Sequence, residues 1–359
     1  MIITKPTLLV NEKIARTNIR TMAQKAKKAG VLFRPHMKTH QSAEVGAWYK
    51  EEGVDKITVS SVDMAIYFAK HGFDDITIAF PYNWLEASQI EALAQKVKLN
   101  VLIESAESLE HLATHVRTKL NYFIKVDIGT RRTGINPNNP KLIHSLAKST
   151  NPDHQLVGLL GHAGHSYQTM DKKKAQKILK ESQKAFVKVV AELGRTDLII
   201  SYGDTPTCSL LDDFPGINEI RPGNFVFYDL MQYGFGSCEF KDIAVCMACP
   251  VVAIHHNRKE IVVYGGSVHF SKDHINVGGK RNYGLVVNLD ESGWEPSDNS
   301  YMSKLSQEHG IISASKEFLN SVKVGDVLGV IPIHSCLTAD VNGYFYTLDG
   351  QFIPMREKR

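Results

Sequence analysis

No apolar run in this 359-residue chain approaches the roughly 18 residues that a membrane-spanning helix needs. The opening "MIITKPTLLV" lacks the charged leader and long apolar core of a secretory signal, so a cytoplasmic protein is expected. Long blocks of one charge are missing too, because 42 Lys plus Arg face 38 Asp plus Glu and the formal charge of +4 is spread along the chain. Its one local run, Lys172 to Lys174, reads as the solvated side of a helix, and nucleic acid is not an expected partner. Cysteine is scarce. Cys208, Cys238, Cys246, Cys249 and Cys336 are odd in number and irregular in spacing, which argues against a disulfide framework and for reduced thiols. Internal repeats and low-complexity linkers are also lacking.

With 43% hydrophobic and 22% charged residues, the chain has material for a large core and two domains. From Asn11 to about residue 235, eight β-rich runs alternate with helical patterns: "VLFRP", "KITVS", "DITIAF", "LNVLIE", "YFIKVD", "LVGLLG", "DLIISY" and "INEIRP". Asn11 and Asp171 stand where N-caps open the helical stretches 11–29 and 171–194. Strand and helix alternating eight times predict an α/β fold with a (β/α)8 TIM-type barrel. After about residue 240 the texture becomes alternating runs with Gly-rich turns, a smaller, mainly β domain in which only 305–321 tempts a helical reading. The expected division is a barrel over 10–238 and a β domain made of 1–9 plus 239–359.

Active sites of such barrels collect at the C-terminal ends of the strands, and the polar residues of this chain fall there. In "RPHMKTHQ" the cations Arg34, His36, Lys38 and His40 alternate, so in an extended segment they would share one surface. Such crowding favours a nucleophilic amine, while the bland reading is an exposed basic loop. "SYGDTPT" and "RPGN" place small and hydroxyl residues in turns after the last two strands, the usual phosphate site of this barrel. In "HAGH", His162 or His165 could stack on a planar cofactor or be structural. "KVDIGTRRTG" offers Arg132 to an oxyanion, unless Asp127 and the arginines pair with each other. His334 and Cys336 in "IPIHSCLT" suit Zn²⁺ with open positions left for substrate, although a buried structural pair is the simpler reading of two residues. "CMAC" reads as core cysteines.

In this order, "RPHMKTH", "HAGHSY", "GDTPT", "RPGNFVFYD" and "HSCLT" resemble the D-threonine aldolase and D-serine dehydratase-like family of the alanine-racemase fold type, over nearly the whole length. The resemblance implies pyridoxal 5'-phosphate (PLP) bound to Lys38 as an imine, with the freed amine later acting as a base at Cα. It places His162 against the cofactor ring and Arg132 near the phenolic oxygen, although Ile128 stands where the racemases' "KxDTGxxR" segment has threonine. Arg221 would face the pyridine nitrogen. The amides of Gly223 and Asn224 would hold phosphate, helped by Gly203 and Thr205.

In that family the dehydratases of D-serine or D-threo-3-hydroxyaspartate carry His-x-Cys and bind zinc, whereas aldolases tend to His-x-Asp. His334-Ser335-Cys336 therefore implies a metal-assisted dehydratase of D-3-hydroxy amino acids that uses Zn²⁺, or Mn²⁺ as the alternative. Other readings are a D-threonine aldolase, a racemase, or a PLP-binding protein without turnover. No racemase tyrosine stands out in 265–279. A homodimer acting on a small D-amino acid is the expected assembly.

Overall fold

The computed structural model describes residues 1–168 and 171–357. Eight parallel strands form the first unit: β2 (Leu32–Phe33), β3 (Lys56–Val59), β4 (Asp75–Pro81), β5 (Lys98–Ile103), β6 (Leu120–Lys125), β7 (His154–His162), β8 (Ile199–Gly203) and β9 (Glu219–Ile220). Before them comes β1 (Thr7–Val10), which belongs elsewhere. The hydrogen-bonded order is β2-β9-β8-β7-β6-β5-β4-β3. A parallel bridge between His36 and Thr58, with Met37 N to Thr58 O at 2.9 Å, joins the two ends and closes the barrel.

Helices cover the strands on the outside, which is why the strands read as near-continuous apolar runs. Asn11 caps the helix Glu12–Lys28 by accepting from Ile14 N, and Ala15, Ile19, Met22 and Ala26 form its buried stripe. The helix Lys172–Leu193 opens on Asp171 and stops at Gly194, whose φ of 62° is left-handed.

The second unit is a nine-stranded sheet. It contains β1 together with β10 (Val245–His255), β11 (Glu260–Tyr264), β14 (Gly284–Asp290), β15 (Gly293–Leu305), β16 (His309–Ser313), β17 (Val327–Pro332), β18 (Tyr344–Thr347) and β19 (Phe352–Pro354). The order is β11-β16-β15-β14-β17-β10-β1-β18-β19, and a further β10–β11 pairing curls the first six strands into a closed ring. A small ribbon, β12 (Ile275–Val277) with β13 (Lys280–Asn282), stands apart. Cys246 and Cys249 are fully buried on β10.

The stretch 305–321 is not one helix. It divides into the end of β15, then β16, then a helix at Lys316–Ser321. Pairing of Ile311 and Ile312 with Val262 and Ile261 overrides the local helical pattern, as tertiary contacts often do for short segments. No helix among the described residues is long and apolar enough to cross a membrane.

Candidate active site

A cavity of about 560 Å³ opens at the C-terminal mouth of the barrel. Its walls come from the strand ends and from the helix Ser335–Asn342, which follows β17 of the second unit. Of the residues expected from sequence, Lys38, Arg132, His162, Arg221, Gly223, Asn224, His334 and Cys336 line it. Gly203 and Thr205 act from behind the wall. The Gly203 carbonyl accepts from His162 Nδ1 at 2.7 Å. Thr205 Oγ1 accepts from the amides of Gly223 (3.3 Å) and Asn224 (3.0 Å), so the turn expected to receive phosphate is braced by that hydroxyl.

The four cations of "RPHMKTHQ" do not share one surface. Extended pairing in β2 ends after two residues, and residues 37–40 form a turn closed by Gln41 N to Met37 O at 3.0 Å. Arg34 points into the barrel, where Nε donates to Glu219 Oε2 at 2.6 Å and an NH group donates to Asp75 Oδ1 at 2.7 Å. His40 is buried against Tyr49 at 5.6 Å between ring centroids, and burial holds its pKa down to about 3. Only His36 and Lys38 reach the cavity.

Glu219 continues inward by accepting from Ser201 Oγ, which itself accepts from Arg221; a second Arg221 nitrogen donates to Gly161 O at 2.7 Å. Arg221 is thereby held rigidly at the cavity floor. Burial lowers its pKa to about 10, with Glu219 opposing. Burial, then Lys38, push the imidazoles of His36 and His162 well below the ordinary value, so both are neutral at physiological pH.

His334 and Cys336 enter from the opposite side. His334 Nδ1 donates to Asp273 Oδ2 at 2.9 Å. Cys336 Sγ lies 3.2 Å from Thr39 Oγ1 and 3.4 Å from the donating Asn224 Nδ2. Burial pushes the His334 pKa down, but hydrogen bonds to Asp273 and Cys336 outweigh it and hold the value up at about 11. Burial would raise the Cys336 thiol, and His334 with Lys38 pull it below the ordinary value instead. Imidazole and thiolate side by side form a soft donor pair for a divalent metal. Among the described residues no group of three or more His, Cys, Asp or Glu could hold a metal, so this pair leaves open positions.

Sequence reasoning missed three contributors. Lys125, the last residue of the buried strand β6, lines the cavity, and its signal was a lysine inside an apolar run. Burial first, then Arg221 and Arg132, lower its pKa from 10.5 to about 7. Thr39 and Asp273 had no local signal, since their partners lie 297 and 61 positions away.

The donor set fits PLP and a metal. Lys38, Lys125, Arg132 and Arg221 line the cavity against a single carboxylate, Asp204, a surplus of positive charge suited to a phosphate-bearing anion. Lys38 supplies the amine that an aldehyde requires.

Known proteins align with this arrangement. Residues 10–230 match the family model described as "Alanine racemase, N-terminal domain", and residues 244–348 match "Putative serine dehydratase domain". The D-serine dehydratase of Dictyostelium discoideum is 30% identical, covering 97% of this chain and 94% of that protein. The D-threo-3-hydroxyaspartate dehydratase of Delftia sp. HT23 is 27% identical over 93% and 91%. Its solved structure superposes with a TM-score of 0.91, covering 100% and 99% of the two chains at 24% identity, and one of its cysteine-to-alanine mutants was solved in the metal-free form. The 3-hydroxy-D-aspartate aldolase of Paracoccus denitrificans is more distant, 23% identical over 95% and 87%.

Proposed function

The chain belongs to the alanine racemase N-terminal-domain family, and from that membership we propose that it is a PLP-dependent, metal-assisted lyase that dehydrates D-3-hydroxy amino acids of the D-serine or D-threo-3-hydroxyaspartate type. The observation that carries this reading is the meeting, in one cavity, of the Lys38 amine with the His334–Cys336 pair. An elimination needs a base at Cα and help for a poor leaving group at Cβ, and these two features supply the two ends of that demand.

Lys38, Arg221, His162, Arg132 and the turn at Gly223 and Asn224, with Gly203 and Thr205 behind it, would hold PLP, while His334 and Cys336 would hold a divalent metal, with Zn²⁺ as our choice for this thiolate-containing pair. When bound, PLP supplies an electron sink for charge at Cα, and the metal supplies a Lewis acid that assists departure of hydroxide. Lys38 is the base for the α-proton. Neutral His162, tied to the Gly203 carbonyl, would give the cofactor ring a flat wall without adding charge. Arg132 would face the phenolic oxygen. The α-proton and the β-hydroxide leave as water, and the released enamine takes up water to give a 2-oxo acid and ammonia.

The second reading is retro-aldol cleavage to glycine and an aldehyde, favoured by the relationship to 3-hydroxy-D-aspartate aldolase. A panel of D- and L-3-hydroxy amino acids with and without EDTA separates them. Pyruvate from D-serine, lost on chelation and in Cys336→Ala, is the expected result. Glycine as the main product from D-threonine, or pyruvate formation indifferent to both treatments, overturns it.

We further propose a cytoplasmic homodimer whose two units are 10–238 and 1–9 plus 239–359. Support for that division comes from β1, which pairs with β10 and β18, and for a partner surface from the exposed Phe80 on the cavity wall. Five free thiols, three of them buried, support a reducing compartment.

A further inference from the structure

We infer that Asp273 is the positioning residue that makes His334 a metal ligand: by accepting the Nδ1–H hydrogen bond it fixes the tautomer and leaves Nε2 for the ion. The inference rests on the reading that His334 and Cys336 hold a divalent metal, and it assigns a role to a segment, 271–274, that the reaction itself does not use.

An imidazole offers a metal one nitrogen only when its other nitrogen carries the proton, and the partner of that second nitrogen decides which is which. Here Nδ1 lies 2.9 Å from Asp273 Oδ2, so Nδ1 donates and Nε2 keeps its lone pair once a metal displaces its proton. Asp273 sits on the Nδ1 side and does not complete a three-ligand group with His334 and Cys336. Its carboxylate therefore acts through the imidazole and not on the ion.

The placement of Asp273 is over-determined. Ser271 adopts a left-handed φ of 72°, and its hydroxyl accepts from Asp273 N at 3.2 Å. The preceding short helix, Ser267–Phe270, is fastened to the helix that carries Cys336: Thr338 Oγ1 donates to Phe270 O at 3.0 Å, and Asn342 Nδ2 donates to His269 O at 2.7 Å. Carboxylate and imidazole are thus held in register by bonds that touch neither.

The test is zinc affinity of the PLP-loaded protein, measured by competition with a chromophoric chelator, for wild type, Asp273→Ala, Asp273→Asn, Thr338→Val and His334→Ala. Asp273→Ala is expected to weaken zinc by roughly 10- to 100-fold. Asp273→Asn keeps size and an acceptor for Nδ1–H and falls between, at about three- to tenfold. Thr338→Val loosens the same fastening while keeping the Thr338 amide bond to the His334 carbonyl, and should stay within about threefold. Asp273→Ala and Asp273→Asn within twofold of wild type, with His334→Ala losing zinc, overturns this inference alone. Zinc affinity that is unchanged in His334→Ala overturns the metal site itself. A loss in Thr338→Val as large as in Asp273→Ala assigns Asp273 to loop structure and also overturns the inference.

Discussion

Thr39 Oγ1 lies 3.2 Å from Cys336 Sγ, joining the residue next to Lys38 on the barrel rim to the helix that follows β17. Thr39 is fully buried while Cys336 lines the cavity, so the contact couples the amine side of the cavity to the side proposed to hold the metal. Thr39→Val keeps the volume and removes the hydroxyl. One hydrogen bond to a thiolate contributes on the order of 1 kcal/mol, so zinc affinity should fall by about fivefold and turnover with it. Chelator competition and steady-state rates check this, and an unchanged zinc affinity would make the contact incidental.

Lys38 is the single side chain whose removal should abolish covalent cofactor attachment. Borohydride reduction of the PLP-loaded protein, followed by peptide mass spectrometry, should place the pyridoxyl group on Lys38. Lys38→Ala should show no adduct and lose at least about a thousandfold in turnover, as expected for loss of the attachment point and base together. An adduct on Lys125 instead would reassign the chemistry to that neighbouring amine.

Lys125 carries a pH signature. Its pKa falls from 10.5 unfolded to about 7 folded, chiefly through burial. Between those values the unfolded chain binds more protons, so this group makes stability rise with pH, and the full penalty is present below about 7. At about 1.4 kcal/mol per unit, the penalty is on the order of a few kcal/mol. In PLP-free protein, Lys125→Met should therefore melt several degrees higher than wild type at pH 6.5. The difference should shrink steadily and vanish near pH 10.5. A gap that does not depend on pH would show that packing and not charge is responsible.

Much of this was legible in the sequence because its signals were local. The periodicity of Ala15, Ile19, Met22 and Ala26 behind the Asn11 cap specifies one helix without help from the rest of the molecule. The order of the strand-end motifs specifies which residues meet at one mouth. Alternation misled at Arg34, because the strand ends after Phe33 and the buried carboxylates Glu219 and Asp75, distant in sequence, take the guanidinium inward. The hairpin through 305–313 was hidden for the same reason, since Ile311 and Ile312 become strand residues only when β11 is beside them. Asp273 belongs to this class too, invisible until the chain folds back over 61 positions.

Gly203 shows how close packing and cofactor binding are linked. A Cβ at this position would meet Arg221 Cβ at 2.9 Å and Arg221 O at 3.0 Å, and backbone on neighbouring strands cannot yield to it locally. The end of β8 would have to move away from Arg221, taking with it the carbonyl that accepts from His162 Nδ1. Gly203→Ala should thus displace Arg221 and His162 together, although it touches neither functional group. We expect PLP affinity, titrated at the imine absorbance band, to fall by at least about tenfold, while the zinc affinity proposed for His334 and Cys336 on the far wall is unchanged. Equal losses at both sites would mean that the barrel mouth deforms as a whole, and an unchanged PLP affinity would mean that neither Arg221 nor His162 bears on the cofactor.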